Sequence, residues 1–205
     1  MGKLTVTSFV SLDGVMQAPG GPTEDPSGGF SHGGWVIPHF DEALGAFMVE
    51  VFGRAGAFLL GRGTWQIFSS HWPKVTDPAD PIAGPLNRLQ KHVASRTLQR
   101  ADWAGSGVVR DVLGEVPRLK ASAPGELQVH GSPGLLQTLL GAGVVDELNL
   151  ITFPVVLGGG KRLFGEGAAP AAFELTGSRT TARGVVAATY RRAGLPPHGD
   201  ATAPR

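Results

Sequence analysis

The sequence predicts an α/β domain: a mainly parallel central sheet covered on both faces and closed by antiparallel strands at its C-terminal end. Two observations carry this reading. Strand-like apolar runs alternate with runs of helical spacing through most of the chain, the pattern of parallel strands joined by crossover helices. Late in the chain, "AFELTGSRTT" and "GVVAATYRRA" follow one another with no helical run between them, as an antiparallel pair does.

The elements follow in order. "KLTVTSFVSL" alternates as a strand, with no cleavable signal pattern. A glycine- and proline-rich segment, Gln17 to Pro38, comes next; a loop of this length in a compact domain is a functional lid or a mobile segment. "HFDEALGAFMVEVFGRA" places Phe40, Leu44, Phe47, Met48, Val51 and Phe52 at helical spacing. "AFLLG" is a strand, and "GTWQIFSSHW" a short helix stopped by Pro73. "PKVTDPADPIAGP", with four prolines, reads as a second loop, and "KHVAS" as a short strand. "VVRDVLGEVPRLKAS" reads as a strand end and a helix whose pattern Pro117 breaks. "GELQVHGSPGLLQTLLGAGVVDELNLITFPVVLG" gives strand, glycine turn, helix with Leu135, Leu136, Leu139 and Leu140 on one face, a stop at Gly143, and a strand. Residues 1–194 form one domain, and 195–205 read as a disordered tail.

Composition limits the functions available. A formal charge of +1 with scattered basic residues gives no field for nucleic acid or an anionic membrane, so any anion must be caught by a local site. No apolar run reaches membrane-spanning length, and a cytoplasmic protein is expected. The absence of cysteine excludes disulfides, thiol catalysis and thiolate metal sites. The six histidines have no paired spacing, so no metal is expected.

Two nucleotide signatures fail. Gly61 and Gly63 begin a Gly-x-Gly-x-x-Gly pattern, but Gln66 stands at its last position. "GGGKR" has Arg162 where a phosphate loop needs a hydroxyl, and Val155 where it needs the leading glycine. A hydrolase elbow, Gly-x-Ser-x-Gly, is also absent.

Three strand ends in combination are more specific. "GRGT" (Gly61, Arg62, Gly63, Thr64), "SRT" (Ser95, Arg96, Thr97) and "GSPG" (Gly131, Ser132, Pro133, Gly134) would share the carboxyl edge of a parallel sheet, where such proteins bind ligands. Two of them open helices, whose first N–H groups attract anions, and the arginines and hydroxyls add donors. One phosphate needs one such place; a pyrophosphate with a further phosphate needs several, which points to NADPH. Each glycine turn taken singly also serves a purely structural strand–helix connection.

These residues resemble the dihydrofolate reductase-like superfamily and, within it, the riboflavin-biosynthesis reductase domain and its stand-alone relatives. The resemblance spans about Lys3 to Arg192 and rests on "SLDG", "GRGTW", "SRTL", "HGSPGLLQTLL", "VVDELNL" and "PVVLGGGKRLF" in that order. It implies a three-layer dihydrofolate reductase-like fold, an NADPH-dependent oxidoreductase, and a homodimer formed through the late strands. Arg62, Gly63 and Thr64 would hold phosphates, Ser95, Arg96 and Thr97 the adenosine end with its 2′-phosphate, and Gly131 to Leu135 the pyrophosphate. "VVDEL" and the triple glycine have structural readings, although the glycine loop is placed to border the cofactor.

Two acids are candidates for the catalytic site. On a wheel of about 100° per residue, Asp41 falls about 50° from the centre of the first helix's apolar face and Glu42 on the solvent side. Asp41 either looks into the cleft, as the corresponding helix in dihydrofolate reductases implies, or favours the helix dipole. Asp13 of "SLDG" lies beside the nicotinamide by resemblance, or is a turn residue before Gly14. Trp35 and Trp72 are placed to stack on a substrate or to pack a lid. The expected partner is a small heterocyclic or C=N- or C=O-bearing molecule. The loop after "SLDGVMQ" lacks the lysine- and threonine-rich continuation suited to a ribityl phosphate, so the 5-amino-6-(5-phosphoribosylamino)uracil reductase of riboflavin biosynthesis stands as an alternative. A non-catalytic nucleotide-binding protein on the same fold is the other.

Overall fold

Eight strands form one sheet in the computed structural model, which describes residues 2–166 and 168–199. In chain order they are β1 (Leu4–Ser11), β2 (Ala55–Gly61), β3 (Lys91–Ala94), β4 (Ser106–Val109), β5 (Glu126–His130), β6 (Glu147–Phe153), β7 (Ala172–Thr180) and β8 (Val186–Gly194). Across the sheet the order is β4-β3-β2-β5-β1-β6-β8-β7. The first six are parallel, β8 is antiparallel to β6, and β7 is antiparallel to β8. The mixed sheet with its closing hairpin is the one the alternation pattern predicts.

Strand alternation divides the core into two layers. Leu4, Val6 and Val10 of β1 face one side, with Leu127 and Val129 of β5. There they meet Val116 and Leu119 of α4 (Val112–Ser122) and Leu135, Leu136 and Leu139 of α5 (Pro133–Gly141). On the other side Phe58, Ile151 and Phe153 pack beneath α1 (Glu42–Gly53) through Leu44, Phe47, Met48, Val51 and Phe52. The five leucine and valine anchors of α4 and α5 have an exposure of 9 % or less, which is the apolar burial that holds this layer to the sheet.

Two expectations need correction. Pro117 does not interrupt α4, which runs on to Ser122 after Asp111 accepts a hydrogen bond from Gly114 N–H at 3.1 Å. The proline, Leu113 and Gly114 are all exposed, so the bond Pro117 cannot donate is lost on the solvent side. The proline-rich second loop leads into a helix, α3 (Ala83–Arg88), started by the Asp80 carboxylate accepting from Ile82 and Ala83 N–H. Lys91 stands just beyond its end, buried, donating to the Leu86 and Leu89 carbonyls at 2.7 Å each, with the Trp103 ring 4.5 Å away. Burial lowers its ammonium to about 8.

The Gln17–Pro38 segment is a packed cover. Phe30, Trp35 and Val36 are buried in the core beneath α1, and the Gln17 amide donates to the Asp25 and Ser27 carbonyls at 2.9 Å each. Helix α2 (Arg62–His71) ends before Pro73 as expected, in a single 3₁₀ turn. Residues 195–199 carry no regular structure, and the rest of the expected tail lies outside the described residues.

Two buried side-chain oxygens lack a hydrogen-bond partner among the described residues: Asp41 Oδ2 and the hydroxyl of Thr5, a residue that is 0 % exposed. Replacing Thr5 with the isosteric valine removes a desolvated hydroxyl without opening a cavity. Thr5→Val is expected to raise stability by about 1 kcal/mol in urea unfolding.

Candidate active site

The carboxyl ends of β3, β2 and β5 are neighbours, so the three loops singled out by sequence meet along one rim. They are tied to one another by hydrogen bonds. Gly61 N–H donates to Ser132 Oγ at 2.9 Å, and Ser132 N–H donates to Thr64 Oγ1 at 2.9 Å. Ser132 Oγ in turn donates to the His130 carbonyl at 3.1 Å. On the other flank Arg62 Nη1 donates to Thr97 Oγ1 at 2.8 Å. Ser95 Oγ accepts from Leu98 N–H at 3.0 Å, turning the loop after β3.

The two glycines permit this closeness. A Cβ on Gly61 would stand 3.3 Å from the Ser132 Cβ, and one on Gly131 would stand 3.3 Å from Thr64 Oγ1. Gly131 also has φ +55°, the left-handed region glycine tolerates. Ser132 follows it at φ 63°, ψ 57°, a conformation that costs an L-residue about 1–2 kcal/mol. The two hydrogen bonds to Ser132 offset that strain.

Ser132 precedes α5 without capping it, because its hydroxyl is turned to β2. Among the described residues Gly134 and Leu135 N–H therefore find no acceptor, and Pro133 has no N–H to offer. Gly61, at the start of α2, has no side chain to cap with either. Arg62, Gly63, Arg96, Thr97 and Gly134 are exposed on this rim. Unpaired helix N–H groups beside exposed guanidinium groups suit an anion with several phosphates.

The rim continues over β1 and β6, and Asp13 sits there. Its Oδ1 accepts from Ser11 Oγ at 2.6 Å and Leu157 N–H at 3.1 Å, and its Oδ2 from Gly158 N–H at 2.9 Å. The Arg162 guanidinium reaches the same oxygen at 3.5 Å and donates to the Asp13 and Gly158 carbonyls. The Ser11 hydroxyl first, then the Leu157 and Gly158 amides, hold this carboxyl down at about 2.

Asp41 lies elsewhere than expected. The wheel assumed it was helical, but it is extended (φ −135°, ψ 177°) and precedes α1 as its cap, accepting from Leu44 N–H at 3.0 Å. That bond first, and the charge of Arg183 in the β7–β8 turn, keep its carboxyl below the usual range. Trp35 is turned inward: it is 7 % exposed, its indole N–H donates to the Gln17 carbonyl at 2.8 Å, and its ring meets Phe153 edge-on at 5.3 Å. No open face of it is left for a substrate. Trp72 is half-buried against Phe68.

Two features escaped the sequence reading. Arg110, just beyond β4, donates to the Ser95 and Leu98 carbonyls at 2.8 and 2.6 Å and clamps the loop after β3. Beneath the Gly131 turn runs a buried polar ladder on β5. Arg54 holds Glu126 at 2.8 Å, Gln128 bonds Glu126 at 2.9 Å, and His130 Nε2 lies 3.0 Å from Gln128 Oε1. His130 stacks on Phe52 at 4.5 Å, and burial lowers its imidazole to about 3, so it is neutral. The alternation of polar residues in "ELQVH" was the available signal.

A cleft of about 930 Å³ is lined by Trp65, Ser69, Pro73, Asn87, Arg88 and Trp103 and by no residue of "GRGT", "SRT" or "GSPG". The Asn87 side chain there is already engaged with the Trp72 and Val75 carbonyls and the Trp103 indole. The converging donors are on the rim, not in this cleft. Among the described residues no group of three or more His, Cys, Asp or Glu could hold a metal, and no helix is long and apolar enough to cross a membrane.

This mixed sheet, six parallel strands closed by an antiparallel pair, is that of the dihydrofolate reductase-like fold. Enterococcus faecalis dihydrofolate reductase complexed with NADP(H) superposes with a TM-score of 0.59 at 12% identity, over 93% of this chain and 96% of that one. A putative riboflavin biosynthesis protein from Shewanella sp. PV-4 superposes with a TM-score of 0.64 at 20% identity, over 94% and 99%. In sequence, the uncharacterized protein YyaP of Bacillus subtilis (strain 168) is 27% identical over 190 residues, 92% of this chain and 94% of that protein. Residues 2–187 match the RibD C-terminal domain family, and the chain belongs to that family, whose character is that of a reductase.

The Ser132 geometry makes a paired prediction. Ser132→Ala keeps the left-handed backbone and loses the hydroxyl, and is expected to cost about 1–2 kcal/mol. Ser132→Gly loses the same hydroxyl but relieves the backbone, and thermal unfolding is expected to place it close to wild type.

Proposed function

We propose that the protein is an NADPH-dependent reductase that transfers a hydride to a small heterocyclic substrate bearing a C=N or C=O group. The observation that carries this reading is the hydrogen-bonded junction of Gly61, Thr64 and Ser132, flanked by Arg62 and Thr97. The residues fit the cofactor. Gly131 to Leu135 would take the pyrophosphate on unpaired N–H groups, and Arg62, Gly63 and Thr64 would take phosphate oxygens from the next strand end. Ser95, Arg96 and Thr97 would meet the 2′-phosphate, and the cofactor when bound supplies the hydride. Both candidate acids have lowered pKa values, so at neutral pH each is an ionised anchor without a proton to give.

The β1–β6 half of the rim bears on the substrate. Lys161 is paired with Asp25 at 2.6 Å, and Arg162 is taken up by Asp13 and Gly158. With these two cations engaged internally, a substrate without phosphate fits this side better than a phosphoribosylated pyrimidine does. A homodimer through the late strands belongs to the same reading: β7 is the outermost strand, and Leu175 on it is 54% exposed.

Cofactor fluorescence titrations with NADPH and NADH test the proposal. Wild type is expected to bind NADPH more tightly than NADH, and equal affinities would overturn the assignment of the loop after β3. Arg96→Ala is expected to weaken NADPH about tenfold and leave NADH unchanged, because it removes one charge-assisted contact to the 2′-phosphate.

A further inference from the structure

The loop after β1 and the loop after β6 are zipped together along the half of the rim over β1 and β6. Leu12 N–H donates to the Val155 carbonyl at 2.8 Å, Met16 N–H to Lys161 at 2.8 Å, and Leu163 N–H to Gly14 at 3.0 Å. Val15 and Arg162 form an isolated antiparallel bridge. The Gln17 side chain extends the seam, accepting from Lys161 N–H at 2.9 Å. Gly160, at φ +122°, lies so close to the seam that a Cβ would stand 2.8 Å from Val15 Cγ1 and 3.0 Å from the Phe30 ring.

Asp13 is the knot of this seam. One carboxylate gathers a hydroxyl from its own loop, two consecutive amides of the glycine loop and a guanidinium. Arg162 closes the circuit by holding the Asp13 and Gly158 carbonyls. Without a carboxylate here Leu157 and Gly158 N–H would lose their acceptor, and the tip of a loop with two positive-φ glycines would be free to move.

The strand order decides what lies against this wall. The exposed arginines, Arg62 and Arg96, stand at the β3–β2 end, which draws the phosphate-rich end of a dinucleotide there. From β3 the sheet runs through β2, β5 and β1 to β6, about 19 Å at about 4.8 Å per strand. Beyond β3 on the other side there is only β4. The remaining half of the molecule therefore extends over β1 and β6.

We infer that Asp13 is a positioning residue: it fixes the Leu157–Gly160 loop as a rigid wall for the nicotinamide half of the cofactor, and it takes no part in proton transfer. The inference rests on the NADPH reading above. Preorganising a wall avoids the ordering cost that a mobile loop would add to binding.

The test uses two probes, NADPH and adenosine 2′,5′-bisphosphate, which lacks the nicotinamide half, against wild type and Asp13→Asn. The variant is expected to weaken NADPH about tenfold and to bind the bisphosphate within about twofold of wild type. Parallel loss of both probes would mean a general structural defect, and retention of both would mean that the knot is idle; either overturns the inference while the NADPH reading stands. Failure of wild type to bind either probe overturns the NADPH reading itself. Amide exchange of wild type guards against a variant that does not fold. NADPH is expected to slow exchange across residues 157–160 and the bisphosphate is not, and equal protection by both would contradict the proposal.

Discussion

Two reciprocal hydrogen bonds, Gly61 N–H to Ser132 Oγ and Ser132 N–H to Thr64 Oγ1, hold the start of α2 against the start of α5. They require a residue with a hydroxyl at 132, a left-handed backbone there, and no side chain at 61 or 131. The same bonds keep Ser132 from capping α5, so the amides of Gly134 and Leu135 stay available. Rigidity and vacancy thus come from one arrangement. The buried ladder from Arg54 to His130 lies beneath it and presents the His130 carbonyl to the Ser132 hydroxyl, which links the rim to the packing of α1 on the sheet.

The rim divides into two halves by chemistry. Over β3, β2 and β5 it offers exposed cations, hydroxyls and unpaired amides; over β1 and β6 its charges satisfy one another. An extended molecule charged at one end matches that gradient. The Gln17–Pro38 segment belongs to the second half, since its buried aromatic residues and its Lys161 contacts fasten it to the glycine loop.

Much of this was legible in sequence because it depends on local signals. The alternation of β1, the leucine face of α5 and the Gly143 stop (φ +64°) each follow from periodicity or from one glycine. The shared edge of "GRGT", "SRT" and "GSPG" followed from placing each at the carboxyl end of a parallel strand; that the three strands are adjacent is known only from the folded sheet. What failed depended on tertiary surroundings. Whether Asp41 is helical or a cap turns on one residue of helix boundary, and the wheel carries no information about that. Pro117 is tolerated because its side of α4 faces water, a fact that exists only once the helix is docked. Trp35 is drawn inward by an aromatic cluster formed by distant segments. Arg110 joins the rim across a loop, with no motif to announce it.

The most direct measurement is a crystal structure of the protein grown with NADPH. The account predicts one cofactor along the rim, its pyrophosphate on Gly131–Leu135 with Arg62–Thr64 beside it, and its 2′-phosphate at Ser95–Thr97. Cofactor density in the cleft between Trp65 and Trp103, or touching only one of the three loops, would contradict it.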